Sequence, residues 1–265
     1  MKLSSYLLFV QTAITKVLSL IGNRLKITYF VFDGEFGHNS AVEMVKQIGL
    51  QFISKLRRDS ALFFPYNGEY SGKGAPKKYD GKLNYDDISD KDYLKKTTED
   101  GDIETKIYQM NMLHKNFANM LNIVIIKKRN IKTDKESRVV LFSTDLDLSY
   151  DKIVKYYSLR FQIEFVFRDA KQYYGLEDFM NTKKIAVYNW ANFSTFMVNF
   201  VAILKKEKFK NSKMSSLDVK AHYHGVYYVN LVLKLLPKKL NTILIETMYE
   251  KISTVGAIYK YKEAV

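Results

Sequence analysis

The chain contains no cysteine. That excludes a disulfide framework and any thiolate metal site, and it fits a reducing cytosol. Proline occurs only at Pro65, Pro76 and Pro237, and there is neither a low-complexity run nor an internal repeat. Long apolar runs are missing as well. Leu7 to Val10 is followed at once by Gln11, Thr12 and Lys16, with no small-residue cleavage pattern behind it, so the N-terminal stretch reads as a soluble amphipathic helix and not as a signal peptide or membrane span. Acidic residues are absent from the first 32 positions, and the earliest is Asp33.

What is present is apolar and basic. With 47% hydrophobic residues in 265, the chain can bury a sizeable core, enough for one domain with a large insert. Lys plus Arg is 42 and Asp plus Glu is 28, so the formal charge is 42 − 28 = +14. A sequence pI near 9.5 points to a polyanionic partner. Nucleic acid ranks above an anionic membrane surface, because no single basic amphipathic helix dominates.

The order of elements is legible from pattern. Lys2 to Asn23 reads as a helix closed by Gly22 and Asn23. Lys26 to Phe32, β-branched and aromatic, reads as a buried strand, followed by Asp33-Gly34-Glu35-Phe36-Gly37. Asn39 or Ser40 can cap a helix to Ile48, and Gln51 to Lys55 is a short strand. Tyr70 to Tyr79 is rich in Gly, Lys and Tyr and suits neither a regular helix nor a central strand. Asp86 to Asp102 reads as an acidic, solvated linker without metal-loop spacing. Strands are expected at Glu104–Leu113, Asn122–Lys128 and Arg138–Ser143. Asp147 or Ser149 then caps a helix. An active-site role for Asp145, at a strand end, is a minor alternative.

Tyr157 to Lys171 (YSLRFQIEFVFRDAK) has no Gly or Pro and predicts one continuous helix. At about 100° per residue, Tyr157, Arg160, Glu164 and Lys171 fall within an arc of roughly 60°. Leu159, Ile163, Val166, Phe167 and Ala170 form a neighbouring stripe that can face a core. A lone acid among cations suits a site for metal and phosphate together. Ordinary i,i+4 pairing of Glu164 with Arg160 and Arg168 explains the same residues more plainly. Farther on, Ile185–Lys206, Met214–Ala221, Val226–Leu236 and Asn241–Lys251 are expected helices. Trp190, Phe193, Phe196, Met197, Phe200 and Leu204 are placed in the core, and Pro237 is a break. His222 and His224 alone do not make a metal site.

The spacing Tyr157-x2-Arg160-x3-Glu164-x6-Lys171, with Asp147-Leu148-Ser149 before it and Tyr174-Gly175-Leu176-Glu177 after it, resembles the signature of a large group of insertion-sequence transposases of the DDE class. Asp33-x2-Phe36-Gly37 resembles the second catalytic aspartate block of the same enzymes; on its own, Asp-Gly is also common turn chemistry. Glu35 is a weaker candidate in the same turn. Gly72-Lys73-Gly74-Ala75-Pro76-Lys77-Lys78-Tyr79 is similar to the family's basic loop, with Ala75 where a basic residue is common. Lys73, Lys77 and Lys78 can meet phosphates, and Tyr70 and Tyr79 can stack on bases. A flexible solvated loop is the alternative.

The resemblance implies an α/β fold: a partial ribonuclease-H-like core with a β-rich insertion and a helical C-terminal part. The expected division is 1–56 for the core segment with Asp33, 57–136 for the insertion, and 137–265 for the rest. It implies metal-dependent DNA strand cleavage and transfer, with Asp33 and Glu164 as catalytic and metal-binding acids. Mg²⁺ or Mn²⁺ is the expected ion, two in the complete enzyme. Tyr157, Arg160 and Lys171 are expected on DNA phosphates. The family's first aspartate lies upstream of the second, and no acid precedes Asp33 here. The expectation is therefore an N-terminally truncated fragment, inactive alone, in a prokaryotic cytoplasm at the nucleoid. Its expected partners are DNA ends and an upstream fragment carrying the first Asp, with no membrane; a homodimer is left open. A catalytically inactive DNA-binding remnant is the alternative.

Overall fold

A computed structural model of the chain describes residues 3–70, 72, 74–209, 213–236 and 241–258. Lys2, Lys73 and Pro237, named above, lie outside the described residues. The fold is mixed α/β with a mostly antiparallel sheet, consistent with a ribonuclease-H-like transposase core. The chain divides into two compact units, Met1–Arg160 and Phe161–Val265.

The first unit is built on one sheet. Helix α1 (Ser5–Ile21) starts where the Ser4 side chain accepts the Leu7 N–H, and it stops at Gly22, whose φ of 55° costs a Cβ-less residue little. Strand β1 (Tyr29–Val31) runs parallel to β2 (Gln51–Leu56), and helix α2 (Asn39–Gln47) makes the crossover. The α2 cap is His38, whose Nδ1 accepts the Ala41 N–H, and not Asn39 or Ser40. The Asn39 side chain instead receives the Ala118 N–H at 2.9 Å.

Beyond β2 every pairing is antiparallel. β8 (Glu136–Ser143) lies between β2 and β7 (Leu121–Asn130). β7 pairs with β6 (Ile103–His114), and β6 pairs in turn with β3 (Leu62–Pro65) and β5 (Leu94–Asp100). β4 (Tyr79–Lys82) pairs with β3. The acidic stretch is therefore not a bare linker. It holds a helical turn, α3 (Asp90–Tyr93), and β5. Tertiary contacts make the difference: Asp90 receives the Lys106 ammonium and the Tyr108 hydroxyl, each at 2.7 Å.

Alternation along the strands separates two cores. Phe30, Phe32 and Phe52 point to the side covered by α1 and α2, with Leu7, Met44 and Val45. Tyr29, Val31 and Ile53 point to the other side, with Val124, Leu141 and helix α4 (Tyr150–Ser158), which contributes Ile153 and Tyr157. At 25 cal/mol per Å² of apolar area, fully buried side chains such as Phe52, Phe142 and Ile153 each contribute about 1.5–3 kcal/mol.

The predicted single helix over Tyr157–Lys171 is two helices. α4 ends at Ser158 and α5 spans Phe161–Tyr174. The Arg160 N–H bonds the Tyr157 carbonyl and the Leu159 N–H reaches both Lys155 and Tyr156, a 3₁₀-type tightening that ends α4 without Gly or Pro.

In the second unit α5 packs on α6 (Lys184–Glu207), followed by α7 (Ser216–Leu235) and α8 (Thr242–Ile252). Two predicted helices merge into α7. Gly225 does not break it. A Cβ there would sit 2.6 Å from the Ile252 carbonyl oxygen, so the glycine is a notch for the segment at the end of α8. The small core here is Val201, Phe209, Met214 and Val219, with Met197 and Leu204 against it. The other predicted core residues of α6 are largely exposed: Trp190, Phe193, Phe196 and Phe200. On α5, Ile163 and Phe167 are exposed too, as is Leu159 before it, and only Ala170 of that stripe is fully buried.

Candidate functional site

Asp33 stands just past the carboxyl end of β1, where sites in α/β sheets form. Its backbone is extended, and its side chain accepts the Gly34 N–H, capping the short 3₁₀ turn Gly34–Phe36. The Asp33 carbonyl oxygen accepts the buried Ser54 hydroxyl at 2.8 Å, which ties the turn to β2. Gly37 allows the approach: a Cβ there would collide with the Lys55 carbonyl oxygen. Turn chemistry and display of an acid are thus the same structure, since the Asp33 side chain stays 57% exposed after making its cap.

Arg160 comes to this carboxylate from the turn after α4, with Nη1 3.8 Å from Asp33 Oδ2. Its side chain is 18% exposed and lies near the Tyr157 ring, 5.8 Å from guanidinium carbon to ring centre. Burial pushes the Tyr157 phenol above its usual range; the Arg160 charge opposes this and the Asp33 charge adds to it. Tyr157, Arg160 and Asp33, far apart in sequence, are brought together within the first unit.

Glu164 and Lys171 belong to the second unit. Glu164 is exposed in the first turn of α5, where the helix dipole favours a carboxylate. Lys171, seven residues on and so on the same helix face, pairs with Glu177 at 2.6 Å. Lys77 pairs with Asp80 at 3.7 Å and sits 4.6 Å over the Tyr66 ring, and Lys78 lies over Tyr79 at 5.7 Å. Tyr70 hydrogen-bonds the Gly74 carbonyl at 2.6 Å.

The remaining candidates lie apart from this meeting point or make local contacts. Asp145 accepts the Tyr29 hydroxyl at 2.7 Å and the Asp147 N–H at 3.1 Å, which fixes the loop leading to α4. The same bond raises the Tyr29 phenol to about 12. Glu35 is exposed in its turn. His224 lies near Tyr228, and His222 edges Phe209. Among the described residues no three His, Asp or Glu side chains converge as a metal cage.

Sequence reasoning missed Ser54 and Lys55. Ser54 is a buried polar residue on a strand, and alternation along β2 places Lys55 on the α4 side. That alternation was the available signal.

A sheet with an acid displayed at a strand end and a guanidinium held against it is an α/β arrangement whose strand termini are the candidate site. A sequence profile described as the transposase DDE domain matches residues 10–200, and the chain belongs to that family. The matched stretch contains Asp33, Tyr157, Arg160, Glu164 and Lys171. Comparison with curated proteins gives no match. No described helix is long and apolar enough to cross a membrane.

Proposed function

We propose that the chain is part of an insertion-sequence transposase that cuts and joins DNA with divalent cations, using Asp33 and Glu164 as metal-holding acids. The observation that carries this is the meeting of Asp33 with Arg160 and Tyr157, residues from the two motifs, at one strand end. Asp33 suits a hard cation. One N–H and a guanidinium at 3.8 Å leave further lone-pair sites on an exposed carboxylate. Asp33 and Glu164 would hold Mg²⁺ or Mn²⁺ ions, which when bound would supply activation of an attacking oxygen and stabilisation of a leaving one at phosphorus. Arg160, Tyr157, Lys171, Lys73, Lys77 and Lys78 hold and orient the DNA phosphates. The segments 1–56, 57–136 and 137–265 serve as Asp33-bearing core, insertion and Glu164-bearing remainder; β3 to β7 begin within the middle one.

In this reading the first carboxylate of a complete site is supplied by a separate upstream segment or fragment. The chain alone is then inactive in strand transfer, and a homodimer does not repair the defect, since both copies lack the same acid. The charge of +14 supports a place on DNA, at the nucleoid of a prokaryotic cytoplasm. The same missing acid favours a second reading, DNA binding without catalysis.

The test is Mg²⁺-dependent nicking of supercoiled DNA by the purified chain beside Asp33→Asn and Glu164→Gln. Expected is DNA binding without efficient nicking. Cleavage that disappears in Glu164→Gln overturns the inactivity, and cleavage that both variants retain overturns the site itself. Binding that no divalent cation alters, in the chain or in either variant, selects the second reading.

A further inference from the structure

We infer that Lys55, Arg57 and Arg58 form a cradle for nucleic-acid backbone phosphates beside Asp33, a contact site separate from the Lys77–Lys78 loop. This deepens the DNA reading above and rests on it.

The end of β2 and the turn after it border a cavity of about 530 Å³. Its lining side chains include Lys55, Arg57, Arg58 and Arg138 against one acid, Asp59, a local balance of 4 − 1 = +3. Of these four cations only Arg138 is paired among the described residues, with Asp86. Among the described residues Lys55, Arg57 and Arg58 make no ion pair, whereas Lys77, Lys106, Lys127, Arg129, Lys132 and Lys171 each do. Arg138 is held as the back wall. Its Nε donates to the Arg58 carbonyl at 2.9 Å, its guanidinium lies 4.4 Å over the Tyr85 ring, and Asp86 is 3.4 Å away.

The cradle is coupled to the acid by geometry. A Cβ on Gly34 would meet Lys55 Cε at 3.1 Å, so the Lys55 stem runs along the turn that carries Asp33. Lys55 is two residues from Ile53, which packs on the α4 side with Tyr157. Lys55 and the Tyr157–Arg160 pair therefore share one face of the sheet and flank Asp33. Unpaired, exposed cations set within four residues, at the end of β2 and in the turn after it, match successive phosphates of a nucleic-acid strand, whose binding is driven by counterion release. Small anions lack the length to use all of them.

The experiment measures binding of a short DNA duplex by fluorescence anisotropy over a range of NaCl, for the chain, for Lys55→Gln/Arg57→Gln/Arg58→Gln, and for a control of equal charge change, Lys91→Gln/Lys95→Gln/Lys96→Gln. The cradle triple is expected to flatten the log–log salt dependence by about 0.9 per lost contact, so by up to about 2.7, with the control nearly unchanged. All six positions are exposed, and a thermal melt checks that the variants stay folded. Because the chain has no cysteine, Arg58→Cys offers a single thiol for a photo-crosslinker. It is expected to capture the duplex, while Lys95→Cys is not. Equal flattening in both triples, or capture equal at both thiols, overturns the cradle. Binding by the parent chain with an unchanged slope in the cradle triple overturns the cradle alone. No binding by the parent chain at low salt overturns the DNA reading and the cradle with it.

Discussion

Single side chains decide how Asp33 is presented. Gly37→Ala puts a methyl group into the Lys55 carbonyl and forces the turn away from β2. The expected cost is about 1–3 kcal/mol, as for other overpacked sites, and a shifted urea midpoint measures it. Tyr29 predicts a pH effect. Its hydroxyl donates to Asp145, and this bond is the main reason its phenol stands at about 12. A proton held more tightly in the folded state than in the unfolded one stabilises fully below the unfolded value near 10 and is lost as pH rises from there through about 12. Tyr85, raised to about 12 by burial, adds to the same window. Stability is therefore expected to fall between pH 10 and 12 in alkaline titrations followed by circular dichroism. Tyr29→Phe should lose about 1 kcal/mol at neutral pH and show a shallower alkaline fall.

At the scale of elements, caps and packing notches explain both what was legible and what was not. α7 starts with a reciprocal capping box between Ser215 and Asp218, and Asp218 also accepts the Ile258 N–H at 2.6 Å while 1% exposed. Asp218→Ala is expected to cost about 1–2 kcal/mol and to raise amide exchange in the first turn of α7. The strand–Asp–Gly–helix order around Asp33 was readable because apolar run, turn dipeptide and α2 pattern are all local. The end of α4 was not, because 3₁₀ bonds close it with no helix-breaking residue in the sequence. The gap expected between Ala221 and Val226 is helical, and Gly225 within it admits the backbone at Ile252. α3 and β5 escaped detection because partners on β6, not their own residues, hold them in place. Motif spacing picks out Asp33, Tyr157 and Arg160, whose side chains the fold brings together. Lys55 was passed over because a single lysine in a strand carries no pattern until the strand's neighbours are known.

The whole molecule combines a charge of +14 with apolar helix faces that its own described residues leave uncovered. On α6, Phe193 and Phe196 are 52% and 57% exposed. Apolar surface of this kind drives association unless like charge keeps copies apart. Sedimentation velocity is expected to show concentration-dependent self-association that grows with salt, as repulsion is screened, and that Phe193→Ser/Phe196→Ser reduces. A monomer at all concentrations and salts would remove the support for a homodimer.

β8 sits between β2 and β7, so Ile53, paired early with Val31 on β1, meets its second partner only at Ser143. During synthesis, the β1–β2 pair that carries Asp33 must therefore wait, open along β2, until the ribosome has released everything up to the eighth strand. Pairings that span so much chain close slowly. Chaperone demand should accordingly peak while that middle portion is emerging, and a pause in translation there would leave Phe52 and its neighbours open to wrong partners.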